Sequence, residues 1–412
     1  MDPKPGDDIV QAAIKVLLTG TASGKADRTE AIVRLWEAGS ITLPVAGRSY
    51  TVPDRPARDG DVAVKLVGTN NVPKRGRGGS LRSRQAILHA LVHIESSAVD
   101  LAWDIIARFG AADAGYQLPA DFFSDFIAVA SDECRHYRLL EQRLEETGSH
   151  YGALPAHDVN HIAGLLQDSW CASAPMHRIA CLCRCRCLIA IHLPSDCLPL
   201  QGLWEAAVDT AGSLAARLAV EHCTHEARGL DVLPSTIAKF RLNGDTASAD
   251  LLEHVVYPEE ISHCAAGVRW LKHLHSVAHN HDWGQVQQAQ RGHEEGGQQQ
   301  QQQQQLEAVD QQTGLKQQQQ QQQQQEAVNQ QSVSQQQQAS VAAGAVIPPW
   351  AAEARGFPSV KLWFHALIRR HFHGLFKPPF NDEARAQAGF GPEWYLPLTV
   401  PASPPAASNG ES

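Results

Sequence analysis

The sequence predicts an all-α protein centred on a bundle of four long helices with buried acidic side chains. Three observations carry that prediction. Four long stretches repeat apolar residues at the helical period. Each of the four sets a glutamate inside its apolar stripe: Glu95, Glu133, Glu226 and Glu260. Two of them add a histidine three positions later, His136 and His263. Three residues is just under one turn, so the carboxylate and imidazole of each Glu-x-x-His share a face. Burying a carboxylate is costly unless it is paired or binds a metal.

Taken in order, Ile9–Leu18 and Arg28–Ala38 read as short helices, with Lys15, Arg28 and Arg34 facing outward. From Ser40 to Gly79 proline, glycine and basic residues take over, which predicts an irregular arm wrapping a core and completes an N-terminal region over 1–79. The cluster Lys74-Arg75-Gly-Arg77 reads as a solvated loop. The first long helix is predicted over about Ser80–Phe109, with Leu88, Val92, Glu95, Val99, Ala102 and Ile106 on its stripe. The second, about Ala120–Thr147, carries Glu133-Cys-Arg-His136. The third begins near Gly202 and runs to about Gly229, with Ala215, Leu218, His222 and Glu226 on one face. The fourth spans about Thr246–His273 and carries Glu260-Ile-Ser-His263. Pro258 lies inside it, and an interior proline costs ~3 kcal/mol and usually bends a helix.

Two segments break the pattern. Residues 159–201 hold six of the nine cysteines without a helical period, and Cys-x-Cys-x-Cys lacks the spacing of common zinc sites, so an insertion is expected. Residues 285–340 are dominated by glutamine, a composition that cannot bury a core; a disordered insertion is expected there. The helical bundle therefore occupies 80–284. A C-terminal helix and cap occupy 341–400, and a tail follows over 401–412.

Hydrophobic residues make up 43% and charged residues 19% of the 412, enough for a substantial core. The net charge of −9 gives no electrostatic reason to expect nucleic acid. No apolar run approaches the ~20 residues of a membrane span, and the N-terminus has no signal-like core. The expected location is cytoplasmic, as a soluble protein.

The spacing supports two helical hairpins. Glu95 to Glu133 is 38 positions and Glu226 to Glu260 is 34, each a helix, a turn and a partner helix. Glu133 to Glu226 is 93, which suits a long crossover once the cysteine-rich segment is set aside. One glutamate from each of two helices, plus Glu-x-x-His from each of the other two, is the ligand pattern of ferritin-like di-metal carboxylate bundles. Four carboxylates would balance two divalent cations. The candidate metal ligands are therefore Glu95, Glu133, His136, Glu226, Glu260 and His263. Glu221 and Glu259 compete with Glu226 and Glu260 but fit the stripes less well. His93 and His225 read as core polar residues or supports of the ligands, and Asp100, Asp104, Arg228 and Asp231 as interhelical ion pairs or, alternatively, as pairs that orient the ligands.

The chain resembles the DUF455 family of the ferritin-like superfamily. The resemblance rests on His89-Ala-Leu-Val-His93-Ile-Glu95 with Asp100-Leu-Ala-Trp-Asp104, and on Ala130-Ser-Asp-Glu133-Cys-Arg-His136. It continues with Tyr151-Gly-Ala-Leu-Pro-Ala-His-Asp158, Gly202-Leu-Trp-Glu, Glu226-Ala-Arg-Gly-Leu-Asp231, Glu260-Ile-Ser-His263 and Lys377-Pro-Pro-Phe-Asn381. The family's His-Asp-Gly-Leu-Trp run is split here between Asp158 and Gly202, which supports the insertion. Tyr257-Pro258 replaces more helix-compatible residues, so the placement of Glu260 depends on how the helix accommodates the proline. The resemblance implies a ferritin-like bundle with metal binding and supplies no substrate.

The leading expectation is a di-iron oxidoreductase or hydroxylase with two Fe ions, Mn being the alternative. A small-molecule substrate and dioxygen are the expected partners, with a tRNA-borne group admitted by fold-level analogy. The rival expectations are a non-catalytic metal-binding or storage protein, and a scaffold with a vestigial metal site.

Overall fold

Helices dominate the computed structural model, which describes residues 2–58, 64–67, 76–157, 203–281 and 347–399. The cysteine-rich segment, the glutamine tract, Lys74-Arg75 and the tail lie outside the described residues. Two short helices come first: α1 (Ile9–Leu17), opened by an Asp8–Gln11 capping box, and α2 (Ala22–Glu37), capped by Thr21. Their capping side chains satisfy backbone N–H groups that a helix start leaves unpaired. The first hairpin is α3 (Leu81–Phe109), capped by Ser80, and α4 (Ala120–Glu146). These two pack along their length, with α1 against α3 and α2 against α4. Lys15 and Arg28 are drawn into ion pairs with Asp7 and Asp2 rather than left in solvent. Leu66–Val67 and Ala156–His157 form a two-residue parallel pair.

The second half differs from the sequence expectation. The stretch expected to run unbroken from Gly202 to Gly229 is interrupted and then extended. A short α5 (Leu203–Asp209) ends, and Ser213 caps a new helix, α6 (Leu214–Arg217). This continues through a π-helical segment, π1 (Leu218–His225), into α7 (Glu226–Leu242). The helix thus outlasts Gly229 and carries Pro234 in its interior. A proline cannot bond the carbonyl four residues back; that carbonyl, of Leu230, instead accepts from Asn381 Nδ2 at 3.0 Å. The last long helix begins as α8 (Thr246–Leu251), passes through π2 (Leu252–Val256) and continues as α9 (Tyr257–Asn280). Pro258 is the second residue of α9, just after a widened turn in which the Tyr257 N–H bonds five residues back to the Leu252 carbonyl.

One apolar cluster joins these helices: Leu88 and Val92 of α3, Tyr137, Leu140 and Leu144 of α4, Leu233, Ile237 and Phe240 of α7, and Leu252 and Val256 of π2. Full burial of each such side chain contributes about 1.5–3 kcal/mol. At Gly267, α9 meets π1 backbone to backbone, and a Cβ there would lie 2.0 Å from the His222 carbonyl oxygen.

Two compact units are distinguished, 1–274 with 357–412, and 275–356. The second holds the end of α9 and α10 (Pro349–Arg355), where Arg355 Nε donates to the Ala278 carbonyl. In the first, α11 (Val360–His371) packs on π1, while α12 (Asp382–Gln387) packs on α7 and precedes a last turn, α13 (Pro392–Tyr395). Arg385 of α12 is buried, ion-paired with Asp231 of α7 and stacked over Tyr395.

Candidate metal centre

Glu95 is carried by α3, Glu133 and His136 by α4, Glu226 by the first turn of α7, and Glu260 and His263 by α9. The structure brings all six together in two overlapping groups: Glu95, Glu133, His136 and Glu260, and Glu133, Glu226, Glu260 and His263. Within each group, one potential ligand atom per residue lies within 4.8 Å of every other. Glu133 and Glu260 belong to both. The buried His136 Nδ1 is 3.6 Å from Glu95 Oε2, 3.5 Å from Glu133 Oε2 and 3.8 Å from Glu260 Oε1. His263 Nδ1 is 3.0 Å from Glu133 Oε1. Glu133 Oε2 and both Nδ1 atoms are nevertheless buried without a hydrogen-bond partner. Buried polar atoms are almost always paired, so converging unpaired acceptors suit a cation that accepts several lone pairs at once.

The outer nitrogen of each imidazole is held differently. His136 Nε2 is 2.7 Å from Glu259 Oε2, and His263 Nε2 is 3.3 Å from Asp132 Oδ2. The holding is reciprocal: the acid preceding Glu260 on α9 orients the histidine of α4, and the acid preceding Glu133 on α4 orients the histidine of α9. Arg135 Nη2 ties the two acids together, 2.8 Å from Asp132 Oδ1 and in contact with Glu259 Oε1. Ligating histidines commonly donate their second ring N–H to a carboxylate in this way. Glu259 thus serves the site from outside, with Glu260 turned inward. The roles of Asp132, Glu259 and Arg135 cross between helices and are not evident from the period of either one. An acid immediately before each Glu-x-x-His was the available signal.

Burial raises the Glu95 carboxyl well above its usual range, and the Glu133 charge adds to the effect. Burial likewise raises Glu226, with help from Glu260, and Glu260, with help from Glu133. Burial also opposes ionisation of Glu133, but the His263 charge, with that of His136, outweighs it and holds that carboxyl low. Burial opposes protonation of His136 and His263, yet their carboxylate neighbours raise both well above the ordinary imidazole value. The protein alone balances four crowded carboxyls by retaining protons.

The other residues weighed from sequence lie apart. Glu221 is fully buried, is raised by burial and has Arg217 and Asp104 as its charged neighbours. His93 Nδ1 is 2.8 Å from the Tyr151 hydroxyl, and His225 meets Phe372 edge to face. Asp100 pairs with Lys25 and Arg58, Asp104 with Arg108 and Arg217, and Asp231 with Arg385. Apart from Asp104–Arg108, which lies within α3, these are ion pairs between segments, and none of them contacts a ligand imidazole.

The fold and site define a helical protein with a buried glutamate–histidine group able to hold a metal ion. The chain belongs to the family described as Protein of unknown function (DUF455), whose sequence pattern matches residues 18–185 and 198–319. The interruption falls inside the cysteine-rich segment. An uncharacterized protein of Haemophilus influenzae is 28% identical over 207 residues, covering 50% of this chain and 56% of that protein. The match thus spans little more than half of that relative's length. No solved structure matches. Among the described residues, no helix is long and apolar enough to cross a membrane.

Proposed function

We propose that this chain is a ferritin-like carboxylate protein holding two divalent metal ions, iron or alternatively manganese, and acting as an oxygen-dependent oxidoreductase on a small organic substrate. The observation that carries the reading is the trio of buried, unpaired atoms, Glu133 Oε2, His136 Nδ1 and His263 Nδ1, converging with three further carboxylates. Glu95 and His136 would serve one metal, Glu226 and His263 the other, with Glu133 and Glu260 shared between them. Four ionised carboxylates would offset two dications, removing the repulsion that now forces protons onto the group. Bound iron would supply the redox chemistry that these side chains lack, activating dioxygen or peroxide. The chain's own contribution is orientation and exclusion of water. Glu259 and Asp132 would keep the proton on Nε2 of each imidazole when metal displaces the proton on Nδ1, so that Nδ1 faces the metal. Phe126, Val129 and Ala130, on the stripe of α4 that carries Glu133, are themselves buried.

Metal analysis and optical spectroscopy of anaerobically purified protein test the reading. About two irons or manganese ions per chain, with an iron spectrum that changes on exposure to air, is the expected result. Protein without either metal that also fails to take up added Fe2+ or Mn2+ overturns it.

A further inference from the structure

We propose that Arg135 is a displaceable electrostatic latch across the route by which a divalent cation reaches the buried group. The inference rests on the metal-binding reading above. Most of the six ligand residues are buried, and Glu226 is only partly exposed, whereas Asp132 and Glu259 keep side-chain exposures of 27% and 23%. Each therefore touches solvent on one side and a ligand imidazole on the other. A hydrated dication sheds its water in stages, and these two acids are placed to replace part of that water on the way in. Arg135 already occupies their shared focus: one nitrogen, Nη2, contacts an oxygen of each acid, one on α4 and one on α9. Its own side chain is 49% exposed, so it can swing into solvent at small packing cost. While latched, it neutralises one of the two negative charges that would draw a cation inward and repels the cation directly. Arg135 acts through the acids and is a positioning residue, not a ligand.

Stopped-flow uptake of Co2+ by metal-free protein, followed by the absorbance that cobalt gains on binding histidine and carboxylate, tests the latch. At low ionic strength Arg135→Gln should load about tenfold faster than the natural protein and reach the same final absorbance. The ratio should collapse towards one as added salt screens the charges; mere loosening of the helices would give a ratio indifferent to salt. Arg135→Lys, which keeps the charge on a shorter side chain with a more strongly hydrated head group, should load at an intermediate rate. The lysine variant carries the test if the glutamine variant does not fold, its effect coming from a shorter reach and a more strongly hydrated charge rather than from loss of a fork. Equal or slower loading by the variants, with the end point unchanged, overturns the latch. Failure of every form, natural protein included, to bind Co2+ would instead overturn the metal reading on which it rests.

Discussion

Asp132 and Glu259 decide which nitrogen of each histidine faces the carboxylates, although neither reaches the centre itself. Asp132→Ala and Glu259→Ala should each weaken Mn2+ or Fe2+ binding about 10–100-fold with the helical circular dichroism unchanged, as measured by calorimetric titration. A loss confined to the variant's own helix would argue against reciprocal support. Proton retention by the group has two signed consequences. For Glu95, Glu226, Glu260, His136 and His263 the folded-state values are raised, so the folded metal-free protein holds more protons than the unfolded chain. Its melting temperature should fall as pH rises from the ordinary carboxylate range through neutrality. Glu133, held low, has the opposite sign, but its contribution is complete once pH exceeds its unfolded value of 4.5. Metal must displace those protons, so apparent affinity should rise over the same interval and loading should release acid in an unbuffered titration. The six inward residues were legible in the sequence because helical period alone puts them in apolar stripes. The pairing of Glu259 with His136 was not, because it crosses between helices 123 residues apart in the chain.

The two π segments and two interior prolines belong to the scale of the element. Each π segment ends just before an inward glutamate, π1 directly before Glu226 and π2 four residues before Glu260, so each adds its extra residue immediately ahead of the group. Sequence periodicity placed both glutamates on the inward face but could not register a π turn, because the four-residue spacing of Leu218, His222 and Glu226, and of Leu252, Val256 and Glu260, fits an α turn and a wider turn alike. Likewise the helix expected to end at Gly229 runs on to Leu242, because Pro234 is tolerated once Asn381 takes up the Leu230 carbonyl. Asn381→Ala leaves that carbonyl unpaired and removes the cap of α12, and should cost about 1–3 kcal/mol in urea unfolding. Gly267→Ala sets a methyl against the His222 backbone, which cannot move aside as a side chain would. Separating the helices there should cost about 3 kcal/mol, at the upper end of overpacking, and should also reduce metal content, since Glu226, directly after π1, and His263 of α9 lie on the two sides forced apart.

At the scale of the whole molecule, the C-terminal cap is bound to the bundle through Asp231, which takes both Arg385 and the Asn381 backbone N–H. Arg385→Ala would leave Asp231 without its cation and empty the space over Tyr395, Phe380 and Phe390. A loss of about 3–5 kcal/mol is expected, seen as a lower melting temperature. Deleting 298–338 should leave metal content and melting temperature intact; a fall in either would mean that the glutamine tract supports the bundle. The helical class and the order of the inward residues could be read from composition and period, whereas the cap could be read only as a packed end. Its attachment depends on a buried arginine, a residue type that sequence patterns assign to the surface.

The reciprocal hold between α4 and α9 also bears on the order of events during synthesis. A nascent chain that has emerged only as far as α4 possesses Glu95, Glu133 and His136 but lacks Glu259, the acid that fixes the imidazole, and lacks the shared Glu260. It has no competent half-site to be captured early by a passing cation. Metal would therefore bind only the finished arrangement, adding its stabilisation to the native state alone and none to partly made chains. Chelation would then accelerate unfolding of the completed protein without altering how its hairpins first form.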